Sequence, residues 1–349
     1  MRRMLTALLL FLVTAAPALI PMVVATPSVQ GFLSTRGTSI IDSYGRTVIL
    51  RGVNYPGYEK NFWSQEPQLH NQYAYYYFRQ LGFNVVRLPI SWANLEPQPG
   101  LFDPNYLQSF VDQDVQWAKA AGIYIILDMH QYNWAEKFGG SGAPDWAVQA
   151  YPANELGLRE AVSEFWADDN LQAHLLSVWT QLAQHYANEP AVAGYDIFNE
   201  PWIYTSIIPT LNATRVDAFD TKAIQAIRAA DKNHILFLEP ANLDNFKIPP
   251  TTNIVWSPHF YPLAFANEYY PQNSTLLQLD FEAKYKTFVI GLNAPMFIGE
   301  FGAFIPDPGS SVRWTQDAVT LFDQNNASWA WWAYTEWDAI PSALTAPGA

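Results

Sequence analysis

Gly194-Tyr195-Asp196-Ile197-Phe198-Asn199-Glu200-Pro201 decides how the rest of the chain is read. Ahead of it, Ala191-Val192-Ala193 opens an apolar run with the character of a buried strand, and the run stops at Asn-Glu-Pro. A strand in a parallel barrel is covered on both faces, so a carboxylate in mid-run has no natural place there. At the C-terminal end of such a strand a carboxylate points into the barrel mouth, where catalytic groups sit. Pro201 has no N–H to give to a ladder, so pairing is expected to end there. The plain alternative is that Asn, Glu and Pro merely punctuate a strand boundary, so the flanking sequence has to decide.

On both sides of this stretch, short apolar runs alternate with helical patterns. Strands are predicted at 48–55, 84–92, 124–132, 192–200, 234–239, 254–261, 295–301 and 328–334. Helices are predicted at 105–121, 171–187, 216–230, 276–292 and 312–322; in the second, apolar residues recur at 171, 175, 176, 179, 182 and 186. Eight strands alternating with helices predict a single (β/α)8 TIM barrel over 31–341. An open doubly wound sheet is the rival, but no glycine-rich phosphate loop follows the first strand. Before the barrel, 32–35, 39–42 and the turn Asp42-Ser43-Tyr44-Gly45-Arg46 predict a small N-terminal β-hairpin closing its bottom. Two connections, 133–169 and 201–215 (with Trp202 and Tyr204), leave C-terminal strand ends and are expected to wall the mouth. The tail 342–349 is expected to be loose.

The chain has 349 residues, half of them hydrophobic and 15% aromatic, enough for a large core. Met1-Arg2-Arg3 followed by an apolar stretch to Ala25 is read as a cleaved secretory signal over 1–25, with an uncleaved membrane anchor as the competing reading. Secretion is therefore expected. Cysteine is absent, which excludes disulfides and thiolate metal sites. The formal charge of −13 argues against nucleic acid or an anionic membrane as partner and is compatible with a neutral polymer. Sequons at Asn212, Asn273 and Asn326 matter only in a host that glycosylates exported proteins.

Polar and aromatic residues gather at the strand ends: Arg87 in the second, His130 in the third, Asn199 and Glu200 in the fourth, His259 and Tyr261 in the sixth, Glu300 in the seventh and Trp332 in the eighth. Singly, each has a bland explanation; a buried histidine is more often a satisfied core residue than a catalyst. Together they converge on one rim, with Glu200 and Glu300 facing each other across it. Two facing carboxylates are what glycoside hydrolysis requires, one protonated to assist the leaving oxygen and one ionised to attack carbon or activate water. Asn199 is placed to bond a sugar 2-hydroxyl, and Arg87 and Tyr261 to hold Glu300 ionised. His130 and His259 suit sugar hydroxyls or tuning of the acid, whose pKa is expected to exceed its partner's. Trp332 is the predicted platform for a sugar face.

In these residues and their order the chain resembles glycoside hydrolase family 5. The match begins at Val48-Ile49-Leu50-Arg51-Gly52-Val53-Asn54 and runs through Arg87, His130, Asn199-Glu200-Pro201, His259, Tyr261, Glu300 and Trp332. The resemblance implies a retaining enzyme with Glu200 as acid/base and Glu300 as nucleophile, without metal or other cofactor. His130-Gln131, the run from Lys137 to Ala147 and the helix opening at 170–179 look like the endoglycoceramidase branch. Those enzymes usually carry a C-terminal β-sandwich, and this chain stops after its eighth strand. The expectation is therefore a monomeric endo-β-1,4-glucanase of the cellulase type, acting on a β-linked oligo- or polysaccharide. A glycosphingolipid hydrolase is the first alternative; mannan and exo-glucosidase action stay open. Two further classes are weighed: a non-catalytic carbohydrate-binding barrel, which has little use for both glutamates, and a metal-dependent hydrolase using Asp128, His130, His259 and Glu300.

Overall fold

A computed structural model of the chain describes residues 29, 31–60, 69–201, 213–241, 252–266, 269–271 and 275–335. The leader-like residues 1–25, Trp202 and Tyr204, the sequons at Asn212 and Asn273, and the tail 342–349 lie outside the described residues.

Strands β1 (Ser34–Arg36) and β2 (Ser39–Ile41) form an antiparallel hairpin. Eight parallel strands follow: β3 (Arg51–Asn54), β4 (Val85–Ile90), β5 (Tyr124–Met129), β6 (Val192–Asp196), β7 (Ile235–Leu238), β8 (Ile254–Trp256), β9 (Phe297–Phe301) and β10 (Ser328–Trp331). Their order is β8-β7-β6-β5-β4-β3-β10-β9. The seam between β8 and β9 is closed by parallel bridges Trp256–Met296 and Phe260–Phe301, which makes the sheet a barrel. Every predicted barrel strand is present and shorter than predicted; several, such as β5, β6 and β8, end before the rim residues, whereas β9 keeps Glu300 and starts later. Val48 and Ile49 precede β3 as connecting chain, and Thr47 makes only a bridge to Ile41.

Strand side chains alternate between the barrel interior and the surrounding helices. The interior floor is apolar: Val85, Ile126, Ala193, Ile235, Phe237, Val255, Phe297 and Ala330 pack with Leu33 and Ile40 of the hairpin. Two residues further along several strands, on the same face, this layer becomes polar. Arg87 follows Val85, Asp128 follows Ile126, Glu239 follows Phe237 and Ser257 follows Val255, all buried. The outward faces pack on helices. Asp169–Tyr186 buries Leu175, Val178, Trp179, Leu182, Ala183 and Tyr186 at helical spacing, starts on an Asp168 cap, and ties down through Trp179 Nε1, which donates to Ile197 O at 3.0 Å. A helix at Gln72–Gln80 was not predicted; its tyrosine-rich sequence hides a period carried by Ala74, Tyr75 and Phe78.

Asp196 is a carboxylate at the very end of its strand, deeper than the expected rim. It is buried in β6, and its Oδ2 accepts from Arg87 Nε at 2.9 Å. A charge is tolerated there because a buried countercharge and hydrogen bond meet it. The long 133–169 connection is anchored rather than open. Trp134 is buried against Phe165 and Phe198, Ala143 N donates to Trp134 O, and Trp146 Nε1 donates to Glu96 O. Among the described residues no helix is long and apolar enough to cross a membrane.

Candidate active site

Arg87 organises the mouth. Its guanidinium donates to Glu300 Oε1 (2.8 Å), Asn54 Oδ1 (3.0 Å), Asn199 Oδ1 (2.9 Å), Glu239 Oε1 (3.1 Å) and Asp196 Oδ2 (2.9 Å), and lies 3.0 Å from Asp128 Oδ1. Arginine suits this position because its five donors lie in a rigid planar fork and its charge cannot be titrated away. Burial opposes that charge, but Asp128, Asp196, Glu300 and Glu239 overcome it and hold the pKa well above the ordinary value.

Glu300, near the end of β9, also receives the Tyr261 hydroxyl on Oε2 at 3.1 Å. Glu200 follows β6 with φ +49°, a left-handed conformation that costs a non-glycine residue about 1–2 kcal/mol. Its N–H donates to Glu239 Oε2 at 3.0 Å, and its Oε1 lies 2.9 Å from His259 Nδ1. The same Nδ1 is 3.5 Å from Glu300 Oε2, while His259 Nε2 lies 3.0 Å from Glu239 Oε1 as an ion-pair contact, off the hydrogen-bond axis. With a carboxylate near each ring nitrogen, the imidazolium is the favoured form: it donates from Nδ1 to Glu200 and pairs in charge with Glu239 at Nε2. Burial works against this charge; the carboxylates of Glu239 and Glu300 and the bond to Glu200 prevail and lift the pKa well above 6.5. Gly299 gives the ring its room, since a Cβ there would fall 2.6 Å from Ser257 Oγ and 3.2 Å from His259 Nε2.

All eight residues singled out in the sequence converge here. Asn199 is fastened by Arg87 on its oxygen and by its own amide, which donates to Gln131 O at 3.0 Å. His130 Nδ1 pairs with Asp128 Oδ2 at 2.7 Å, and its ring stacks on Trp332 at 5.2 Å and 10°. Asn54, Asp196 and Glu239 belong to the same network and were not singled out. For Glu239 the signal was its place two residues beyond the floor residue Phe237; Asn54 and Asp196 follow Gly52 and Gly194 at the same spacing and carry no such mark.

The neighbours of Glu200 set its charge. Burial raises the Glu200 pKa, but the His259 hydrogen bond and charge, with the charges of His130 and Arg87, bring it below the ordinary 4.5. Glu239 and Asp196 go the other way. Burial lifts Glu239 to about 8, with Asp196 adding to the push and His259 and Arg87 opposing it. Burial lifts Asp196 to about 6 against the pull of Arg87. Glu200 is therefore held in its ionised form, while Glu239 and His259 titrate as a pair whose proton sits on the imidazolium, because the Glu239 oxygens already face three donor nitrogens.

One oxygen each from Glu200 and Glu300 and a ring nitrogen of His259 lie within 4.8 Å of one another. The spacing would admit a metal ion, but an imidazolium sharing its proton with both carboxylates already supplies a cation there. An oxygen of Glu200 thus approaches an oxygen of Glu300 to within 4.8 Å, so the two carboxylates face one another as glycoside hydrolysis requires. The arrangement can hold one carboxylate charged by Arg87 and Tyr261 and exchange a proton with the other through His259.

The sequence profile of the cellulase family (glycosyl hydrolase family 5) matches residues 41–337. The chain belongs to glycosyl hydrolase family 5. This family 5 hydrolase is 29% identical over 261 residues to endoglycoceramidase I of Rhodococcus hoagii, covering 66% of this chain and 52% of that protein. It thus spans about half the length of that relative. It is 22% identical over 309 residues to endoglucanase C of Acetivibrio thermocellus, covering 74% and 82%. Among solved structures, an endogalactoceramidase superposes with a TM-score of 0.75 at 29% identity, over 88% of this chain and 75% of that one. Endoglucanase Cel5A of Thermotoga maritima (TM-score 0.65, 19% identity, 84% and 93% covered) shares the fold.

Proposed function

We propose that this family 5 hydrolase cleaves a β-glycosidic bond by double displacement, with Glu300 as nucleophile and Glu200 as acid/base. In the first step Glu300 attacks the anomeric carbon, the bond to the leaving oxygen breaks, and that oxygen takes a proton from Glu200. In the second, Glu200 takes a proton from water, the water oxygen attacks the same carbon, and Glu300 leaves with the configuration retained. Glu200 is charged in the free site, so the proton it delivers is the one held 2.9 Å away on His259 Nδ1. The observation supporting this reading is that Arg87 and Tyr261 both donate to Glu300 while a Glu200 oxygen faces it within 4.8 Å.

For the substrate we favour a glycolipid headgroup over a β-1,4-glucan. Phe265 and Phe304 are 63% and 51% exposed and stack at 5.0 Å and 1°. They lie 5.7 and 6.3 Å, ring to ring, from Tyr261, which touches Glu300. Phe304 N donates to Ala264 O at 2.8 Å, so the apolar lip is built by two loops held together. Exposed paired phenylalanines beside a reaction centre suit an apolar leaving group. The likeness to proteins named endoglycoceramidase points the same way. The stacked His130–Trp332 surface, which suits a sugar face, keeps β-1,4-glucan as the second reading, alongside relatives named endoglucanase. Export through the leader-like 1–25 and action as a monomer complete the proposal.

A panel of lactosylceramide, soluble β-glucan, mannan and cello-oligosaccharides, with product anomers followed by proton NMR, tests both parts. Free ceramide and an initial β-anomer are expected. Initial α product overturns Glu300 as nucleophile, and hydrolysis confined to the glucans overturns the glycolipid preference.

A further inference from the structure

We infer that Glu239, at the end of β7, is the positioning residue of the acid/base: it fixes the Glu200 main chain and keeps His259 aligned to pass its proton to Glu200. The inference rests on the proposed double displacement. Glu239 touches the machinery at three points, through the Glu200 N–H on Oε2 and through His259 Nε2 and Arg87 Nη2 on Oε1. All three partners present nitrogens that can donate.

The first contact holds Glu200 at φ +49°, a conformation its side chain disfavours, and so sets where its carboxylate stands. The second sets the histidine. When His259 gives its Nδ1 proton to Glu200 Oε1, the ring becomes neutral and keeps its remaining proton at Nε2, facing Glu239. The Glu239 charge 3.0 Å from Nε2 favours that tautomer over the one with its proton on Nδ1. The balance is one proton moved from Nδ1 to Oε1 and, after the leaving group has taken it, one returned by the incoming water along the same path. No other reactant is needed. The third contact couples this pair to the arginine that holds Glu300.

The electrostatic setting of Glu239 comprises Arg87 from β4, Asp128 from β5, Asp196 and Glu200 from and after β6, Asp220 from helix Ala213–Ala230, His259 after β8 and Glu300 from β9. Within this set Glu239 is the residue in contact with both the Glu200 main chain and the His259 ring.

The test compares wild type, Glu239→Gln and Glu239→Asp on 2,4-dinitrophenyl and 4-methylumbelliferyl β-glycosides of the headgroup that the wild type prefers. Melting curves accompany the assays. A good leaving group needs little proton assistance and a poor one needs it fully. Glu239→Gln is expected to lose roughly 10²-fold in kcat/KM on the methylumbelliferyl glycoside and under about 5-fold on the dinitrophenyl one, as for a mis-set catalytic group. Its alkaline limb should move to lower pH, because His259 loses the carboxylate that favours its charge. Glu239→Asp should recover part of the loss, and it carries the comparison if the glutamine variant fails to fold. Equal losses on both substrates with an unmoved alkaline limb overturn the inference. Hydrolysis by Glu300→Gln at the wild-type rate would instead overturn the double-displacement reading and leave a different pattern.

Discussion

Arg87 Nη1 donates to Glu300 Oε1 at 2.8 Å, and the same guanidinium is within 3.1 Å of Asp128, Asp196 and Glu239. One buried cation thus answers four buried carboxylates, and its removal is not a local event. Arg87→Ala is expected to lower stability by about 3–5 kcal/mol, the cost of leaving buried charge without its partner. Denaturant unfolding would measure it. Arg87→Lys keeps the charge but loses the fork, so it should fold better than the alanine variant and still lose activity.

Burial and charge around Arg87 and His259 predict greater stability in mild acid. Asp196 is lifted from 3.8 to about 6, and His259, facing the Glu239 and Glu300 carboxylates, well above 6.5. In each case the folded chain keeps a proton that the unfolded chain has released, so stability falls as pH rises through these windows. Glu200, shifted the other way, opposes this only near and below its ordinary 4.5. The melting temperature should therefore decline from pH 5 to pH 8, and Glu239→Gln should flatten the decline. A melting temperature that rises over this range contradicts the assignment.

Gly299 separates function from folding. Gly299→Ala places a methyl group 3.2 Å from His259 Nε2 and 2.6 Å from Ser257 Oγ, so the ring must shift off Glu200. Turnover is expected to drop by roughly 10²-fold, the scale for a catalytic group displaced by about 1 Å. Gly194→Ala, whose Cβ would fall 2.1 Å from Ile235 O, has no side chain to push aside and should fail to fold. Circular dichroism alongside the assay distinguishes the two.

Phe265→Ser and Phe304→Ser address the leaving group. Burying a phenylalanine against an acyl chain contributes about 2 kcal/mol, so each variant should lose roughly 30-fold in kcat/KM on lactosylceramide. Activity on a water-soluble aryl glycoside should hold. Parallel losses on both substrates would remove the lip from substrate binding.

The barrel and the members of its site were legible because they rest on local pattern: apolar runs, helical spacing, and polar residues where the runs stop. Glu200 and Glu300 could be paired from strand count alone, since a closed barrel of fixed order brings the fourth and seventh strands to one mouth. Asp196 and Glu239 escaped because their meaning depends on Arg87 reaching them from another strand, which no local window contains. The charge state of Glu200 escaped for a related reason. The side chain marks a candidate acid, but its proton is governed by His259, some sixty positions away in sequence.

Leu33 and Ile40 of the hairpin close the barrel floor against Phe237, Val255 and Phe297. The polar layer above is therefore shut off from solvent on the hairpin side. On the proposed reading, a sugar over Trp332 would cover it from the other side, the proton leaving with the aglycone would come from groups already inside, and the water that restores it would enter from the mouth. The plain hairpin at the far end would then set the order of events at the near one.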